Sequence, residues 1–168
     1  MPIARDLAGK RPIRDGEVLR DLIMSEHGAL FYELWMLNES ARRWSNPSDP
    51  IVQNIAIESF LVHFRNLRNF FYPPLAAWTD HTRFDDVVAF DYCESWDKTS
   101  KDWQEVVPSE KDRINKQLAH ISYARPTLDP RWPISQMCAA IRRSLLEFVD
   151  TLSVERQKWF SGVVPKGR

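Results

Sequence analysis

Cysteine is nearly missing from this chain of 168 residues: Cys93 and Cys138 are the only two. They are too few for a disulfide framework and lack the paired spacing of a zinc site, so a reducing cytoplasm is the expected compartment. Net charge is missing as well. Lys plus Arg equals Asp plus Glu at 23 each, leaving no global basic field to capture nucleic acid or anionic membrane. No run reaches the roughly 20 apolar residues that span a bilayer, because Glu58, His63 and Arg65 interrupt the longest candidate, and no membrane association is expected. The opening segment 1–15, MPIARDLAGKRPIRD, has no apolar centre of the kind a secretion signal carries. It reads as a flexible arm, whose basic Arg5, Lys10, Arg11 and Arg14 are available to an acidic partner.

Chemical signatures are equally sparse. There is no phosphate-cradling glycine loop, no Gly-x-Ser-x-Gly elbow and no Cys-His nucleophile pattern. Glu58 and His63 stand five residues apart, about 140° around a helix, so they do not chelate one ion together. The Glu-x-x-His pair of a di-iron bundle is absent, and neither His27 beside Glu26 nor His81 beside Asp80 has helical chelate spacing. No metal and no cofactor is expected.

What is present is helical periodicity almost throughout, which predicts an all-α fold: four principal helices in a bundle, with an irregular aromatic-rich connection between the second and third. One domain over 16–162 is expected, followed by a short tail over 163–168, and folding should bury roughly 70% of the surface of the unfolded chain. A first helix covers 16–44, with Gly28 as the place for a break and Leu30, Leu34 and Leu37 on its buried face. NPSDP ends it, and Asp49 with Pro50 is set to cap and open the second helix, which stops at Pro73 and Pro74. A short helix is expected within 85–95. Ser109 caps a third helix running to about residue 124, and a fourth starts near Pro133 with Ile134, Met137, Ile141, Leu145 and Phe148 buried. Ser153 caps one or two further turns.

The second helix, 51–72, combines an apolar body with an unusual number of hydrogen-bonding groups. At about 100° per residue Glu58, Val62, Arg65 and Asn69 form one stripe, while Ala56, Phe60, Phe64, Leu67 and Phe71 take the opposite side. Burying such polar groups costs several kcal/mol each unless they are paired. One reading is therefore a network of Glu58, Arg65 and Asn69, with Glu33 or His120 as partners, that fixes helix packing. His63, near Leu67 and Phe70 in projection, reads as a satisfied core histidine.

The third helix carries the residues best suited to chemistry. Ile114, Leu118 and Ile121 form its buried stripe, while Arg113, Lys116, Gln117 and His120 share an adjoining face. Arg113 and His120 are seven residues apart, about 20° out of register and two turns distant, within reach of one ligand. An imidazole titrates near neutrality and suits proton transfer; Arg113 or Lys116 suits a phosphate. The structural alternative for His120 is a boundary histidine between core and solvent.

The spacing from Arg113 to His120, on a helix of a small all-α bundle, resembles the arginine-to-histidine motif of the HEPN superfamily, whose members include metal-independent ribonucleases and nonenzymatic partners. Arg65 followed by Asn66 gives a second opening of that motif, without a histidine downstream in range. The resemblance implies RNA or a nucleotide as substrate, with His120 exchanging a proton at the ribose 2′-hydroxyl or leaving oxygen and Arg113 binding the scissile phosphate. Catalytic Arg113 and His120 would be supported by Glu58, Arg65, Asn69, Asn115 and Lys116. It also implies a homodimer, since family members commonly build the site across one. The competing reading is a nonenzymatic module that dimerises or binds another protein through an aromatic face. The seven tryptophans do not interleave with a basic patch, and most read as core edges and loop pins.

Overall fold

The computed structural model describes residues 11–24, 28–46, 49–80, 84–103, 113–114 and 131–163. The fold is all-α: every regular element among these residues is a helix. In chain order they are α1 (Gly16–Met24), α2 (Ala29–Ser45), α3 (Pro50–Phe71), α4 (Ala76–Thr79), α5 (Ala89–Tyr92), α6 (Ile134–Thr151) and α7 (Val154–Trp159). The first predicted helix is thus two, α1 and α2, with Gly28 as the residue before the second. The predicted third helix lies outside the described residues except for Arg113 and Ile114, which are helical.

Local chemistry explains most boundaries. Asp49 adopts an extended conformation, its Oδ1 accepts the Ile51 N–H at 2.6 Å, and Pro50 needs no donor at the first helical position. The far end of α3 is closed by tertiary partners, because Pro73 and Pro74 cannot continue the helix. The Trp96 indole N–H donates to the Phe71 carbonyl at 2.7 Å, and the Ser100 N–H donates to the Pro73 carbonyl at 3.0 Å. The first bond satisfies a carbonyl that the helix terminus leaves open, and the two together tie the aromatic connection to the end of α3. Ser153 caps α7 by accepting from the Arg156 N–H.

The backbone of the architecture is the antiparallel pair α2 and α3, with α6 packed on α3. The antiparallel sense follows from the contacts: Ser40 bonds Ser59 at one level, and Glu33 bonds His63 and Asn66 further along. Leu30, Leu34 and Leu37 of α2 enter the core, as do Phe60, Phe64, Leu67 and Phe71 of α3 and Met137, Ile141, Leu145 and Phe148 of α6. At the end where α3 meets the connection, Phe70, Phe71, Tyr92, Trp96, Phe148 and Phe160 pack mostly edge to face, with centroid separations such as 4.9 Å for Phe70 and Phe71.

Arg11 departs from its reading as part of a flexible arm. It is buried, because every face of its guanidinium finds a partner: Nη2 meets Asp91 Oδ2 at 3.1 Å, Nη1 donates to the Ala77 carbonyl and Nη2 to the Asp86 carbonyl, each at 2.7 Å, and Trp78 lies beneath it. A buried charge is tolerated only with such pairing.

Candidate functional site

The polar groups of α3 sort by angle around the helix. His63 falls at the edge of the core face and turns toward α2, where its Nδ1–H donates to Glu33 Oε2 at 2.7 Å. Asn66, one turn on, donates from Nδ2 to both oxygens of the same carboxylate at 3.2 Å. Tyr32 closes the cluster with its ring edge-on to the imidazole, centroids 5.6 Å apart. His63 is 8% exposed and its bond to Glu33 is tucked between the two helices, as read for a core histidine, while Asn66 and Tyr32 border it on the solvent side. Bonds to a charged carboxylate contribute about 1.5–3 kcal/mol each, enough to set how α2 and α3 slide against one another.

The residues on the stripe lie elsewhere. Glu58 and Val62 are exposed on the outer face of α3, and Arg65 and Asn69 are half-buried. Asn69 lines a cleft of about 400 Å³, together with Glu33 and Asn66, between α1, α2, α3 and the 85–88 segment. Glu33 is therefore shared: its carboxylate joins the interhelical cluster and borders the cleft. Arg113 is half-buried, with its guanidinium carbon 3.9 Å from the centre of the Trp132 ring, and it donates to the Arg131 carbonyl. His120, Asn115 and Lys116 lie outside the described residues.

No family model, curated protein or solved structure matches the chain. Function must be argued from its own geometry.

Among the described residues no group of three or more His, Cys, Asp and Glu side chains is placed to hold a metal. Nor is any helix among them long and apolar enough to cross a membrane. A second cleft, of about 470 Å³, lies between the connection and α6, bordered by Tyr72, Lys98, Trp103, Arg143 and Glu147. Two of its charges engage one another: Lys98 Nζ is 2.9 Å from Glu147 Oε2 and 4.2 Å from the centre of the Trp96 ring.

Several titratable groups depart from ordinary behaviour, all for structural reasons. Hydrogen bonds from Arg42 and then Arg43 hold the half-buried Glu39 carboxyl at about 2. Burial, reinforced by the neighbouring Asp91 charge, pushes the Tyr92 phenol well above the usual range. Burial alone raises the Cys138 thiol. For Cys93 burial also acts upward, but hydrogen bonds from Ser95, Thr151 and the backbone together bring the thiol below its ordinary value.

The outer face of the α2 and α3 pair carries what sequence periodicity did not single out. Ile51, Ile55, Glu58, Val62, Arg65 and Asn69 follow at intervals of four, three, four, three and four, a single stripe within about 40° of its mean line. Ile55 is 61% exposed and Val62 39%, and on α2 Trp35 is 53% and Tyr32 46% exposed. Extending the polar stripe two turns toward the N-terminus of α3 would have revealed Ile51 and Ile55 on it. Their exposure was not visible without knowing which face meets α2.

Proposed function

We propose that the protein is a nonenzymatic helical interaction module that pairs with a second copy of itself through the outer face of α2 and α3. The observation that carries this reading is the division of labour on α3. His63 and Asn66 are satisfied by Glu33 of α2, whereas the outer stripe leaves Ile51, Ile55 and Val62 in water, and Tyr32 and Trp35 of α2 are exposed as well. Aromatic and aliphatic side chains grouped on one face and bordered by charge are the composition of an interface core and rim. The middle of the stripe is also self-complementary. An antiparallel two-fold centred between Leu61 and Val62 brings Val62 next to the axis and sets Glu58 opposite the partner's Arg65, and the symmetry repeats the pair. In sedimentation equilibrium the wild type is expected to dimerise and Val62→Glu to run as a monomer with unchanged helicity. A monomeric wild type at about 100 μM, a concentration at which even micromolar affinity saturates, would contradict the reading.

A second reading follows from Arg113. Its guanidinium is oriented over Trp132 before any ligand arrives, an arrangement that suits a phosphate contact in a HEPN-like, metal-independent ribonuclease with His120 as proton carrier. RNA incubated with and without chelator separates the two readings. Chelator-resistant cleavage that is lost in His120→Ala, with melting unchanged, would install the nuclease; no cleavage by the wild type removes it.

A further inference from the structure

We propose that the cleft bounded by α1, α2, α3 and the 85–88 segment binds a small organic cation, an ammonium or guanidinium carried on an apolar body. Its volume of about 400 Å³ falls within the range of small-molecule sites. Leu22, Leu30, Leu67, Phe70 and Val87 supply an apolar lining. The polar lining is one-sided in charge: Glu33, Asp85 and Asp86 are carboxylates, Asn66 and Asn69 are amides, and the described lining includes no Lys, Arg or His. An anion entering this space meets like charge from three carboxylates, while a cation meets their field and the carboxylate oxygens of Asp85 and Asp86.

Two features make the cleft more than a group of acids. First, its acidic wall is anchored. The Asp86 carbonyl accepts from Arg11, whose own charge is matched behind the wall by Asp91, so the side chains of Asp85 and Asp86 are left to face solvent. Second, polar capacity remains unused inside. The Asn69 carboxamide is half-buried in the lining and makes no side-chain hydrogen bond among the described residues. Glu33 by contrast is committed to His63 and Asn66, so it contributes field rather than a free oxygen pair. The arrangement matches a ligand whose body fills the apolar floor and whose charged end reaches the Asp85 and Asp86 rim, with Asn69 as an orienting contact.

Titration calorimetry of the full chain with phenethylammonium, and with 2-phenylethanol as its neutral counterpart, tests this. Saturable one-to-one binding of the ammonium is expected. Asp85→Asn with Asp86→Asn should weaken it about tenfold, the scale of two lost charge contacts near a surface, without lowering the melting temperature. Ala29→Trp, at an exposed lining position at the start of α2, should abolish binding by filling the cleft. Equal affinity for the alcohol, an unchanged affinity in the double variant, or no saturable binding of the ammonium by the wild type would each overturn the proposal. If Ala29→Trp fails to fold, the double variant alone carries the test.

Discussion

Tyr92 illustrates how a single side chain joins distant parts of this molecule. Its ring packs on Phe70, Phe148 and Phe160, its hydroxyl donates to the Leu19 carbonyl of α1 at 3.1 Å, and its own carbonyl accepts from Arg156. Tyr92→Phe keeps the ring and removes one buried bond, so a loss of about 1 kcal/mol at neutral pH is expected, somewhat more where the Leu19 carbonyl is left unpaired. The pH dependence follows from the raised phenol. Above the ordinary value of 10.0 the unfolded chain loses this proton while the folded protein keeps it, so the unfolded state binds fewer protons and stability falls as pH rises. The phenylalanine variant lacks that slope. Urea unfolding at about pH 8 and about pH 11 should therefore show the gap between wild type and variant narrowing on the alkaline side; a constant gap would mean that Tyr92 titrates normally. The same scale shows where sequence reasoning stopped. The residue type of Arg11 suggested a solvated arm, and only the Asp91 carboxylate and two carbonyls, distant in sequence, make its burial affordable.

At the scale of the element, α3 was the most legible part of the chain. The Asp49 and Pro50 pair at its start, the prolines at its end and the apolar face between them are local signals, and the helix runs Pro50–Phe71 as they require. Asp49→Ala should cost about 1 kcal/mol through loss of the bond to the Ile51 N–H, read as a lower urea midpoint with an unchanged slope. No change would mean that water caps the helix equally well. The apolar stripes of α2 and α6 were equally plain, since all the positions named on them are buried. The site was less legible, for a reason of register. A stripe of Glu58, Arg65 and Asn69 can be drawn from periodicity alone, but which side of α3 meets α2 depends on the pairing of two helices. That pairing selects His63 and Asn66 to meet Glu33 and leaves Glu58 in solvent. The short helix expected within 85–95 is only Ala89–Tyr92, because Asp91 folds back to accept the Val88 N–H and the connection is then held by Trp96 and Arg11.

For the whole molecule, the charge balance and the distribution of aromatic residues point the same way. An equal number of acids and bases gives no long-range field toward nucleic acid, and the charged side chains in the described lining of the cleft between α1, α2, α3 and the 85–88 segment are acidic. Trp78, Trp96, Trp103 and Trp132 are buried, whereas Tyr32 and Trp35 of α2 are exposed, with Tyr32 against His63 of α3. A two-fold pairing through the outer stripe of α3 sets Glu58 against the partner's Arg65 on either side of Val62, with Ile55 and Ile51 further from the axis, and opposite charges so placed fix register and partner rather than supplying most of the affinity. Charge exchange across that axis is the most direct test. Measured by sedimentation equilibrium, Glu58→Arg and Arg65→Glu should each weaken the dimer, and the double variant should restore it, because the symmetry re-forms the pair with its signs reversed. Single variants that dimerise as the wild type does, or a double variant weaker than either, would contradict the proposed interface.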